Sequence, residues 1–194
     1  MVAAGPVQRL NTKERPQLKI DFKTLTMMQL RSSPGEVLDR VAGDGEVFVI
    51  QRNGQARACL VPVSFLLPDI APDRISQELS KLTERDEKYT LAINEHNELE
   101  ITCQAIVAGE QVRITIILPH GYPHSAPRLY AHPVPSKTPH RWQDGSLSIF
   151  GAMAIWNPRS HDVIQALALA RKWLKQCAKW RKSGQWPAEP EDAL

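Results

Sequence analysis

Residues 99–127, LEITCQAIVAGEQVRITIILPHGYPHSAP, decide how the rest of the chain is read. Leu99 to Val107 and Val112 to Leu118 are apolar runs rich in β-branched residues, and the second alternates apolar with polar positions, the period of a half-buried strand. Ala108-Gly109-Glu110 between them has the composition of a turn. Tyr89 to Ile93 precedes them as a third strand, so the segment predicts an antiparallel meander. The pattern stops at Leu118. Residues 119 to 160 are rich in Pro, His and Trp and show little periodicity. A stretch of that length inside a compact domain is usually functional, or holds structure that periodicity does not reveal.

Helices bracket the meander. On its N-terminal side Ile75, Leu79 and Leu82 recur at helical spacing. On its C-terminal side Val163, Leu167, Ala170, Leu174 and Cys177 fall on one face of a long helix, with Arg171, Lys172, Lys175 and Lys179 off it. Pro68 and Pro72 mark a boundary before this second part.

The first part reads differently. Residues 1–21 mix Gly, Pro, Gln and basic residues (Arg9, Lys13, Arg15, Lys19) without periodicity and are expected to be a flexible basic arm. Leu25 to Leu30 is a short β-like run. Ser33-Pro34-Gly35-Glu36 opens a helix, with Ser33 as N-cap, Pro34 in the first turn and Glu36 completing a capping box. Val37, Leu38 and Val41 form its apolar face, and Gly43 and Gly45 end it. Asn53-Gly54 between Val47–Ile50 and Ala56–Val63 is a strong short-range hairpin signal, because both turn residues need positive φ. The expected fold class is therefore α+β: a small sheet-helix module over residues 22–70, a second domain over 74–187, and a tail of 188–194.

Composition sets outer limits. Residues 1–68 carry nine Lys/Arg against six Asp/Glu, while the remaining residues carry fifteen of each. The whole net charge of +3 thus sits in the first third and points to an anionic partner such as DNA. Cys59, Cys103 and Cys177 are odd in number, far apart and set in apolar stretches, which suits buried free thiols in a reducing compartment. No apolar run approaches bilayer-spanning length, and Met1 to Pro16 lacks the apolar core of a secretory signal, so a cytoplasmic protein is expected. His120, His124, His132 and His140 match no common metal-site spacing, and neither metal nor cofactor is expected.

Two resemblances sharpen this reading. Ser32 to Val63, SSPGEVLDRVAGDGEVFVIQRNGQARACLVPV, resembles the Phd/YefM antitoxin family in its Val-Leu-Asp-Arg-Val helix, its Arg-Asn-Gly hairpin and its Leu-Val-Pro close. That resemblance implies a homodimer through this module and binding to operator DNA. It places Lys23, Arg31, Ser32 and Ser33 at the DNA, with Arg31 beside a helix N-terminus that favours phosphate. Residues 74–187 resemble ubiquitin-conjugating enzymes, most closely their bacterial relatives. The motifs, in order, are Tyr122-Pro123 with Pro127, His140, Gly145-Ser146-Leu147-Ser148, Trp156-Asn157-Pro158, Trp173-Leu174, Trp180 and Gly184-Gln185-Trp186-Pro187. The resemblance implies protein contacts through Tyr122 and Trp156.

The departure from that family lies at its reactive position, where Ser148 replaces the cysteine that carries a modifier as a thioester. A thiol ionises far more readily than a hydroxyl, so serine needs an adjacent base. His140 is eight residues away, two fewer than in the family, and Trp142 stands where the family has its oxyanion asparagine. Asn157 is the candidate replacement donor. The resulting expectation is an antitoxin-like DNA-binding autoregulator whose catalytically inactive UBC-like domain binds a toxin or a ubiquitin-like modifier. The alternative is a conjugating enzyme carrying the modifier at position 148, on a natural serine or on one replacing a cysteine.

Overall fold

The computed structural model describes residues 21–187, so the basic arm and the tail beyond Pro187 lie outside the described residues. The chain divides into two compact units, at Pro62/Val63.

In the first unit, β1 (Phe22–Thr26) runs parallel to β2 (Val47–Arg52), which pairs antiparallel with β3 (Gln55–Leu60). The helices α1 (Met27–Ser32) and α2 (Pro34–Gly43) connect β1 to β2. The hairpin forms as expected, with Asn53 at φ 54° and Gly54 at φ 71°. Leu25, Val37, Val41 and Phe48 make a small core, with Leu30 and Leu60 packed on it.

Three local expectations are corrected here. The run Leu25–Leu30 is strand only to Thr26, because a capping box starts a helix there: the Thr26 hydroxyl accepts from the Gln29 N–H and the Gln29 side chain accepts from the Thr26 N–H. Ser33, expected to be boxed with Glu36, caps no N–H through its side chain. Cys59, expected to be buried, is exposed on β3, whose first five residues are all exposed.

The second unit opens with α3 (Val63–Leu66). Leu67 and Ile70, which the sequence reading drew into the first module, belong to this unit's core. α4 (Pro72–Glu84) leads into a four-stranded antiparallel sheet ordered β4 (Tyr89–Ile93), β5 (Leu99–Val107), β6 (Glu110–Leu118), β7 (Arg128–His132). Alternation is regular on β5 and β6, where Leu99, Ile101, Cys103, Ala105 and Val107 pair with Leu118, Ile116, Ile114, Val112 and Glu110. The fourth strand, β7, sits inside the segment that showed no periodicity. α5 (Val163–Ser183) closes the unit and contacts β5, β6 and α4. Asp162 caps it in a box with Gln165, and Gly184 ends it at φ 74°. All five residues of its expected apolar face are buried, together with Trp173. The α+β class and the order helix, meander, loop, helix are those expected.

Candidate functional site

The site is built from the loop between β7 and α5. Its frame is a buried polar network that the sequence reading did not include. Glu78 on α4 is only 1% exposed. One of its carboxylate oxygens accepts from Arg74 Nε (2.6 Å) and from the Tyr122 hydroxyl, and the other accepts from the backbone N–H of Val163 at the start of α5 (2.9 Å). Arg74 also donates to the carbonyl of His161 (2.7 Å). A buried carboxylate is tolerable only when paired and hydrogen-bonded, and here a guanidinium, a hydroxyl and a backbone N–H all donate to it. Burial and the hydrogen bond to Glu78 push the Tyr122 hydroxyl well above its usual range. The network ties α4, the Tyr122 turn and the N-terminus of α5 into one rigid corner. A signal was present in the sequence: Glu78 lies on the same helix face as Ile75 and Leu82, four residues after Arg74.

Trp156 completes this corner. Its indole N–H donates to the Pro123 carbonyl (2.6 Å), and its ring packs against Tyr122, Phe150 and His161 at centroid distances of 5.8, 5.0 and 5.4 Å. Of the two residues expected to contact a protein, Trp156 is half-buried and Tyr122 is 2% exposed. The exposed apolar side chains of this region are Trp142 and Ile155, the latter 87% exposed. Trp142 borders a cleft of about 260 Å³ with Pro127, Arg128, Asp144, Leu147 and Phe150.

Ser148 is held by its backbone. Its N–H donates to the His140 carbonyl (3.0 Å), which also accepts from the Trp173 indole of α5 (3.0 Å). The preceding N–H, of Leu147, donates to the Leu129 carbonyl on β7 (2.7 Å). The loop between is tightened by Arg141, whose guanidinium donates twice to the Gly145 carbonyl (3.0 and 2.8 Å). Position 145 favours glycine because φ is +84°, and a Cβ there would also lie 2.9 Å from the Arg141 guanidinium, which would have to move.

Ser148 itself is 7% exposed, and its hydroxyl has no hydrogen-bond partner among the described residues. The His140 imidazole packs against Trp186 instead, tilted by 37° at 4.7 Å between ring centroids. Asp144 is committed elsewhere: Oδ1 accepts from the Ser146 hydroxyl (2.6 Å) and N–H (2.9 Å), which holds its carboxyl below the usual range. Asn157 spends its side-chain oxygen on the N–H of Arg159 (3.0 Å). Among the described residues, no side-chain hydrogen bond joins the three candidate catalytic residues, Ser148, His140 and Asn157. Both thiols of this unit are buried, and burial pushes Cys103 up to about 11 and also raises Cys177, which disfavours the thiolate at each.

In the first unit, Lys23 is ion-paired with Glu46, which Arg40 also reaches at 2.7 Å. Arg31 is exposed on α1, and the Ser32 hydroxyl donates back to the Met28 carbonyl (2.8 Å). Ser33 lies between α1 and α2. Among the described residues no helix is long and apolar enough to cross a membrane, and no group of three His, Cys, Asp or Glu is placed to hold a metal.

No protein-family model matches the sequence, and no curated protein matches it. Among solved structures the chain is similar to a Vps23 UEV domain described in complex with ubiquitin, at 13% identity and a TM-score of 0.41, covering 66% of this chain and 96% of that one. It is also similar to the yeast Vps23 UEV domain in complex with a Vps27 PSDP peptide, at 13% identity and a TM-score of 0.40, covering 66% of this chain and 94% of that one.

Proposed function

We propose that the chain is a DNA-binding regulator of antitoxin type whose second, UBC-like unit holds a protein partner, a toxin or a ubiquitin-like modifier, without transferring anything to or from it. The observation that carries this reading is the isolation of Ser148. A serine nucleophile needs a base within hydrogen-bond reach and donors for the oxyanion. The hydroxyl at 148 has no partner among the described residues, and the His140 ring packs on Trp186 instead. What this region does offer is an exposed Trp142 at the rim of a cleft, with Ile155 exposed on the same loop, which suits recognition more than chemistry.

For the first unit, support comes from the exposed Arg31 and from the small core, six buried hydrophobic side chains among the described residues, which is little for a module standing alone and favours pairing with a second copy. A regulator of this kind works in the cytoplasm.

The reading is tested by co-expressing the tagged full chain with its neighbouring genes, in the native form and as Ser148→Ala. If binding needs no chemistry at 148, both forms retain the same partner at the same stoichiometry. Loss of the partner from Ser148→Ala alone contradicts the proposal.

A further inference from the structure

The C-terminal half of α5 borders a second candidate binding surface, which shares no lining residue with the cleft beside position 148. Here the helix, the β5–β6 turn and the segment after β7 diverge, leaving two adjoining cavities of about 240 and 280 Å³. They share Val107, Ala108, Ala178 and Lys182. Aliphatic side chains, including Val112, Val134 and Leu174, supply the apolar walls of the first.

The rim is basic. Lys175, Lys179 and Lys182 follow one another at i, i+4 and i+7, so they stand in one row, and all three are exposed. None has an acidic partner among the described residues, whereas the neighbouring Arg181 is neutralised by Glu110 at 2.7 Å. Like charges four apart on a helix cost stability. The helix dipole compensates Lys182 in the last turn but not Lys175 or Lys179 farther back. An uncompensated cationic row over apolar cavities is complementary to a chain that alternates carboxylates with aliphatic side chains. Nucleic acid fits less well, because no aromatic ring lines either cavity to stack a base.

We infer that this groove binds an acidic peptide segment of a partner protein, with aliphatic side chains seated in the two cavities and carboxylates on Lys175, Lys179 and Lys182. This goes beyond the reading of position 148 and stands or falls separately from it.

The test is to pan a random dodecapeptide phage library against the full chain. A fluorescein-labelled copy of the most enriched peptide is then titrated by anisotropy onto the native protein and onto the Lys175→Gln/Lys179→Gln/Lys182→Gln variant. All three lysines face solvent and their removal relieves like-charge repulsion, so the variant should match or exceed the native thermal midpoint. The expected result is enrichment of peptides that intersperse Asp or Glu with Leu, Ile or Met, and roughly tenfold weaker binding by the variant, the loss expected for three exposed ion pairs. The inference is overturned by enrichment without acidic-aliphatic character, by equal affinity in the variant, or by a thymidine 20-mer that displaces the peptide through the same lysines.

Discussion

His120 stands between two acceptors. Its Nδ1 lies 2.6 Å from an Asp69 carboxylate oxygen and its Nε2 lies 2.9 Å from the His96 carbonyl. A carbonyl and a carboxylate only accept, so both contacts are satisfied together only when both ring nitrogens carry protons. These bonds, the one to His96 foremost, raise the imidazole above its ordinary value of 6.5. The charged ring therefore favours the folded state. That contribution is fully present below about pH 6.5, the ordinary value, and is lost as pH rises through the raised one. Urea midpoints measured from pH 6 to 9 should fall over that window for the native chain and fall less for His120→Gln. A histidine on the loop after β6 was legible in the sequence, but its partners were not. Asp69 and His96 are 51 and 24 residues away along the chain, and only the fold brings them to it. Glu78 was passed over for another reason: its place on the apolar face was visible, but a hydrophobic pattern skips a carboxylate, and its partners Tyr122 and Val163 are far along the chain.

At the scale of elements, periodicity was reliable where burial is one-sided. β5 has the bounds read from the sequence and β6 begins two residues earlier than read, because half-buried strands expose the period directly; β4 also has the bounds read, although nearly all of it is exposed. α5 was legible from its apolar row, while its two ends are set by the Asp162–Gln165 capping box and by Gly184, which that row does not mark. β7 was not legible. It is five residues long, lies between Pro127 and Pro133, and its pairing with β6 rests on register that no local pattern encodes. The opening of α1 was missed because Thr26–Gln29, a capping box with glutamine in place of glutamate, lies inside an apolar run that reads as strand. That correction moves Arg31 from a loop before a helix to the last turn of one, where a cation is favoured by the helix dipole as well as by any phosphate. Its role is measured by anisotropy of the full chain on DNA from upstream of its own gene. Arg31→Ala should weaken binding and lower the slope of log affinity against log salt by about one, the share of a single phosphate contact. Binding that is absent or independent of salt in the native chain would remove DNA from the account.

The whole molecule joins two units whose described cores differ in size. Among the described residues the first has a small core around Phe48, while the second has a continuous core from Leu67 to Cys177, with the Glu78 network beside it. The boundary fell at Pro62/Val63 rather than near Ile70 because a proline signals a break in regular structure, not the side on which flanking apolar residues will pack. The loop residues around position 148 could be singled out in the sequence, but not their contacts. What the sequence did not carry was where His140 points, since that depends on Trp186 and on the Trp173 bond to its carbonyl. On the reading proposed, this unit holds a partner without a covalent step at Ser148. Intact-protein mass spectrometry of the full chain, purified with its neighbouring gene products and denatured before injection, should then give the unmodified mass of the chain, with the partner as a separate species. A mass increase equal to the partner less water, mapped to Ser148 and removed by hydroxylamine, would contradict it.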